Sequence, residues 1–177
     1  MIVQRTPLSA VNPFVLADVQ RHLRVTDADM MAESQAFALA AVKEFEAYAQ
    51  VALIDQTITV TLEEDIRRAL LQLPIAPMID PLSVTVVADG VAFAAFAVIA
   101  GQRPALRFTD VKPCGLVVIQ YKAGFGPAVT DVPQDIKLAI ADQAAAYFDQ
   151  RGAADGKTVA MSPHMARIAA RYRRVSL

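Results

Sequence analysis

Residues Gly115 to Arg151 read GLVVIQYKAGFGPAVTDVPQDIKLAIADQAAAYFDQR, and they divide into one strand, a glycine turn and one long helix. Leu116 to Lys122 is β-branched and aromatic, with Val117, Ile119 and Tyr121 on one face and Val118 on the other, which predicts a strand buried on at least one side. Gly124 and Gly126 bracket Phe125 and allow a sharp exit, and Pro127 forbids regular continuation of the ladder. A helix is predicted from Pro133, whose missing N–H costs nothing at a first helical position, while Asp131 and Asp135 put negative charge near the positive end of the helix dipole. Ile136, Ile140, Ala144 and Tyr147 make one apolar stripe, and Leu138, Ala141, Ala145 and Phe148 make another, so this helix requires neighbours on two sides. Ala144, Ala145 and Ala146 permit close packing, and Arg151 followed by Gly152 signals the end.

Upstream, Met1 to Pro13 holds two prolines and no sustained period, which predicts an extended N-terminal arm. Phe14 to Arg24 is predicted as a short helix with Leu16, Val19 and Leu23 on one face. A longer helix follows from Asp27 to about Ala49, where Met30, Phe37, Ala41, Phe45, Tyr48 and Ala52 recur at helical intervals. From Asp55 the period falls to two: Thr57, Thr59 and Thr61 alternate with Ile58, Val60 and Leu62, the pattern of a half-buried strand. Leu73 to Pro81 is held extended by Pro74, Pro77 and Pro81. Val84 to Ala88, Asp89-Gly90 and Val91 to Ile99 then read as a hairpin, with Arg103 to Phe108 a further short strand. Helices flanking four or five antiparallel strands define an α+β fold. At the C-terminus a small, polar loop from Gly152 precedes a last helix opened by Ser162 and Pro163. That helix carries Met165, Ile168, Ala169 and Tyr172 on one side and Arg167, Arg171 and Arg174 on another, too short to be stable without docking.

The 177 residues are 55% hydrophobic and 20% charged, enough apolar material for one domain spanning 1–177 and too much for overall disorder. The lone Cys114 excludes an internal disulfide and a cysteine-rich zinc site, in keeping with a reducing cytoplasm, and is expected to be a free, partly buried thiol. No stretch reaches the roughly 20 apolar residues needed to span a bilayer. The first residues lack the ordered regions of a signal peptide, so neither export nor membrane association is expected. Net charge is −1, unevenly placed: from Arg151 onward six basic residues face one acid, leaving 11 basic and 17 acidic residues before it. A weakly acidic body with a basic tail suits an acidic protein surface, a nucleic acid or plain solvation of that tail.

Few residues point to chemistry. His22 and His164 each lack a companion at metal-ligand spacing and read as structural or exposed. Ser162 and His164 share one turn without a third group, which is not a nucleophilic triad. The glycines at 124 and 126 lie too far from the next helix, and lack the lysine, for a phosphate loop. Asp131 and Asp135 are explained by the helix start, and Glu63, Glu64 and Asp65 by a solvated acidic turn. Neither a catalytic group nor a metal or cofactor site is expected.

In their order along the chain, HLRVTDADM (His22 to Met30), LPIAPMIDPLSVTVV (Leu73 to Val87), VIQYKAGFG (Val118 to Gly126), VPQDIKLAI (Val132 to Ile140) and YFDQR (Tyr147 to Arg151) resemble the head-to-tail connector, or adaptor, proteins of long-tailed phages and of phage-derived gene transfer agents. The resemblance covers most of the chain and departs from the family in the alanine-rich Val91 to Ala100 and in the long loop before the last helix. It implies a non-enzymatic structural protein of the particle, assembled in the bacterial cytoplasm. It implies a homo-oligomeric ring, commonly of about twelve subunits, between the portal protein and a tail-side stopper or tail terminator protein. DNA would pass through the lumen without sequence-specific binding, and Glu63, Glu64 and Asp65 could face that channel and repel phosphate. In related adaptors the C-terminal segment reaches toward the portal. Residues 152–177 are accordingly expected to be a loop and docking segment, with Met165, Arg167, Ile168, Arg171, Tyr172, Arg173 and Arg174 as the portal-docking unit. Two other readings stay open on the residues alone: a small-ligand-binding domain or uncharacterised enzyme with a pocket between helices and sheet, and a nucleic-acid binder acting through the basic tail.

Overall fold

The α+β pattern is realised in two sets of elements, and the computed structural model describes residues 1–64, 66–109, 111–151 and 160–173 of them. The strands are β1 (Ile2–Pro7), β2 (Gln56–Leu62), β3 (Leu70–Gln72), β4 (Thr85–Ala88), β5 (Val91–Ala92), β6 (Phe96–Ile99), β7 (Ala105–Phe108) and β8 (Val117–Ala123). The helices are α1 (Leu16–Leu23), α2 (Ala28–Ala49), α3 (Gln134–Gln150) and α4 (Pro163–Tyr172). Contacts group the strands with Met1–Ala10 and Val51–Pro127, and the helices with Val11–Gln50 and the described residues from Ala128 on. The chain therefore changes unit after Ala10, Gln50 and Pro127.

In the strand unit, a five-stranded antiparallel sheet has the order β1-β2-β8-β4-β5, and a three-stranded one has the order β3-β7-β6. β8 is central, as its apolar alternation requires. Val60 on β2 and Val86 on β4 both lie opposite Ile119, and Ile58 lies opposite Tyr121, so one face becomes a continuous apolar layer. Leu106 and Phe108 from β7 join the same core, together with Leu73, Ile75 and Met78 from the proline-punctuated segment. Each such side chain contributes about 1.5–3 kcal/mol on burial. The Tyr121 hydroxyl, buried in this layer, donates to the Ile75 carbonyl at 3.0 Å and accepts from the Ile75 N–H at 3.0 Å. A polar tip thereby satisfies two backbone groups that burial would otherwise penalise.

The glycine turn after β8 is a close backbone crossing. A Cβ on Gly124 would lie 2.7 Å from the Asp55 nitrogen, and the Gly124 N–H donates to the Pro77 carbonyl at 2.9 Å. That N–H is already used, so the turn offers it to no anion. At Asp89-Gly90 both residues have positive φ, as a two-residue hairpin turn demands, and the Asp89 carboxylate accepts from the Leu116 N–H at 2.8 Å.

Three elements differ from expectation. Val91 to Ile99 is not one strand: β5 is two residues long, and β6 belongs to the other sheet. β3, which no period announced, pairs with β7. Ile2–Pro7, within the stretch read as an extended arm, forms β1 against β2.

The helical unit is built on α3, which packs against α1, α2 and α4. Ile136, Ala139, Ile140 and Ala144 are fully buried there, as is Phe45 of α2. Leu138, assigned to the second apolar stripe, is instead 47% exposed. Asp27 caps α2 by accepting from the Asp29 N–H at 2.9 Å, and both α1 and α2 end in a left-handed residue, Arg24 and Gln50. Pro133 stands at the N-cap of α3 with extended ψ, one position before the first helical residue where it was expected. Asp131 accepts from the Ala128 N–H at 2.9 Å and so closes the short turn before α3.

Candidate partner-binding surface

α4 is the element on which the expected docking residues lie. Ser162 caps it, its hydroxyl accepting from the Met165 N–H at 3.1 Å, and Pro163 occupies the first turn. The buried Gln143 amide of α3 accepts from the Ser162 N–H at 2.6 Å and donates to the Ala160 carbonyl at 3.4 Å. At the far end the Tyr172 hydroxyl donates to the Asp135 carboxylate, 3.2 Å from Oδ1. Asp135 thus ties α4 to the first turn of α3, a role its sequence position did not announce.

The apolar side of α4 is already used within this unit. Met165, Ile168 and Ala169 are buried, and Tyr172 packs 6.4 Å from Phe45, ring centre to ring centre. The outward side is cationic. Arg167 and Arg171 are exposed and form no ion pair among the described residues, and the Arg173 guanidinium lies 4.8 Å from the centre of the Tyr48 ring. The structure therefore splits the seven expected docking residues. Met165 and Ile168 hold the helix, Tyr172 bridges it, and Arg167, Arg171 and Arg173 face outward. Arg174 lies outside the described residues, as do residues 152–159, expected to be a loop.

Sequence reasoning missed a cluster beside this helix. His22 Nε2, from the last turn of α1, lies 2.8 Å from Asp142 Oδ1, and His164 Nδ1, from the first turn of α4, contacts Asp142 Oδ2. One carboxylate of α3 thereby joins three helices. His22, Asp142 and His164 are far apart in the chain, so no spacing rule exposes them; the only signal is an acid at mid-helix, Asp142, between the apolar Ile140, Ala141 and Ala144 of α3. The arrangement is structural rather than nucleophilic, because the Ser162 hydroxyl serves the helix N-terminus while His164 faces the carboxylate. The two imidazoles meet different oxygens of one carboxylate, and no group that could hold a metal ion occurs among the described residues.

Two phenols in this unit titrate unusually. Burial, and then the Glu44 carboxylate that accepts the Tyr147 hydroxyl at 2.5 Å, push Tyr147 up to about 12. Burial and the adjacent Asp135 charge raise Tyr172 as well. Elsewhere Glu63 and Glu64 are exposed, Asp65 lies outside the described residues, and Cys114 is exposed, not partly buried as expected. No helix among the described residues is long and apolar enough to cross a membrane.

Solved structures share this fold over the full length of the chain. A chain in the "Virion of native gene transfer agent (GTA) particle" is 25% identical, with a TM-score of 0.77 over 100% of this chain and 97% of that one. A chain in the "Neck of empty GTA particle computed with C6 symmetry" is 26% identical, again with a TM-score of 0.77 and the same coverage. A third, in the "Neck of native GTA particle computed with C12 symmetry", shares the fold at 24% identity and a TM-score of 0.70, with the same coverage. The chain is similar over its full length to structural components of gene transfer agent particles. No protein-family model matches it, and no curated protein does.

Proposed function

We propose that this protein is a head-to-tail adaptor: a subunit of a ring that joins the portal protein of a DNA-filled head to the tail-side stopper or terminator protein. DNA crosses the lumen without sequence-specific contact. The observation that carries the reading is the full-length likeness, at 26% identity, to a chain of a particle neck computed with C6 symmetry. Such symmetry requires copies in multiples of six, and about twelve copies satisfy it. The role is structural and needs neither cofactor nor metal. The protein acts in the phage or gene transfer agent particle and is assembled into it in the bacterial cytoplasm.

The portal contact is assigned to the cationic face of α4. Arg167, Arg171 and Arg173 orient the ring on portal acids through hydrogen-bonded ion pairs. Met165, Ile168 and Tyr172 fix the helix that presents them. Removing the whole segment would uncover the core around Met165, so charge reversal is the cleaner test.

Native mass spectrometry of the purified protein, alone and mixed with the portal encoded beside it, checks the reading. The expected result is a ring-on-portal complex that Arg167→Glu, Arg171→Glu and Arg173→Glu together abolish. A monomer indifferent to the portal would overturn the adaptor reading.

A further inference from the structure

The two sheets of the strand unit have four margins, and only two of them are guarded. A sheet edge presents unpaired N–H and C=O groups, and proteins blunt such edges with shortness, charge or proline. β5 is two residues long, and β3 is three residues long with Arg67 and Arg68 just before it. β1 and β6 are less well protected. β1 runs six residues with Pro7 only at its end. Its single charge, Arg5, is drawn off the edge, Nη1 donating to the Val51 carbonyl at 3.0 Å. Ile2 is 61% exposed on this strand. β6 lies within Val91 to Gln102, twelve consecutive residues without a charge, and exposes Ala97 and Ile99. Among the described residues no strand covers the outer side of either.

A weakly guarded, largely apolar edge in an otherwise well-guarded unit is a liability unless it is occupied. A cyclic ring needs two different, mutually fitting surfaces on each copy, because its interfaces are head-to-tail. The β1 and β6 edges meet that requirement. We infer that β1 of one copy adds to β6 of its neighbour, extending the three-stranded sheet to the order β3-β7-β6-β1 across the subunit boundary. Closure of the ring then covers the β1 and β6 edges on every copy and leaves only the short β3 and β5 margins open. Main-chain hydrogen bonds supply the contact, with Ile2 and Val3 meeting the apolar Phe96 to Ile99 strand. The inference rests on the ring proposed above and names its lateral interface.

Cysteine pairs test it in a Cys114→Ser background: Ile2→Cys, Gln4→Cys or Thr6→Cys on β1, each with Ala97→Cys or Ile99→Cys on β6, oxidised after assembly with the portal. At least one pair is expected to give a ladder of covalent oligomers rising to the full ring on a denaturing, non-reducing gel. Ala97→Lys, which restores an edge charge at an exposed position, is expected to abolish the ring. Its circular dichroism and melting temperature should match wild type. A ring that forms on the portal with no β1 to β6 cross-link, and that tolerates Ala97→Lys, would overturn the inference and leave the adaptor reading standing. β1-to-β1 dimers, or β1 cross-linked to the portal or a tail protein, would also overturn it. Absence of any wild-type ring would remove both.

Discussion

Tyr147 and Asp142 sit on α3 and share with Asp135 and Gln143 the polar work that holds helices to it. The Tyr147 phenol is raised to about 12 by burial and by Glu44, against an ordinary value near 10 in the unfolded chain. Below pH 10 both states keep the proton, so this group adds no pH dependence. Between about 10 and 12 the unfolded chain releases it first, and stability falls as pH rises. Subtracting a Tyr147→Phe melting curve from wild type at each pH should show a difference that is flat to about pH 10 and shrinks toward 12. A difference that grows with pH would contradict the assignment. At Asp142 one carboxylate accepts from two imidazoles, whereas an amide offers a single acceptor and presents a donor to the second ring. Asp142→Asn is therefore expected to cost about 1–2 kcal/mol, the low end for charged hydrogen bonds because all three groups are partly solvated. Denaturant melts should show this as a lower midpoint at unchanged slope.

At the scale of the element, α4 is short, and its cap matters accordingly. Ser162→Ala removes the acceptor for the Met165 N–H, and a loss of about 1 kcal/mol is expected in a denaturant melt, with Ser162→Asp close to wild type. A silent Ser162→Ala would mean that Gln143, which accepts from the Ser162 N–H, suffices alone. This helix was legible in the sequence because cap, proline and apolar spacing agree. α2 was legible because Asp27 and a 22-residue helical period bound it, and β2 and β8 because they alternate strictly. β3 was not, since a three-residue strand within the five residues between Arg68 and Pro74 is too short to carry a period. The break between β5 and β6 was hidden because every residue from Val91 to Ile99 suits a strand. What separates them is tertiary: the Phe93 N–H turns back to the Val86 carbonyl at 2.8 Å, and the next residues leave for the other sheet. The histidine cluster was illegible for a related reason, as contacts among α1, α3 and α4 depend on packing angles that no local pattern encodes. The apolar side of α4 was readable, but not which surface it covers, and the structure places Met165 and Ile168 in their own unit.

For the whole molecule, the two proposed interfaces rest on different physics and should separate under salt. The proposed portal contact would be carried by exposed arginines, and such pairs are screened as the Debye length shrinks from about 8 Å at physiological ionic strength to about 3 Å at 1 M. The proposed lateral contact is carried by main-chain hydrogen bonds between β6, which has no charge, and β1, whose single charge, Arg5, is turned to the Val51 carbonyl. Added salt screens little there and, if kosmotropic, strengthens burial. A ring-on-portal complex taken stepwise to 1 M sodium chloride should shed the portal first and leave the ring intact. Sedimentation velocity distinguishes the three species by size. Arg171→Lys should follow the same order at lower salt, because an ammonium keeps the charge but loses the two-pronged geometry toward a carboxylate. If the ring falls to monomers while portal and adaptor subunits stay bound, the lateral contact is electrostatic, and β1 and β6 are not its source.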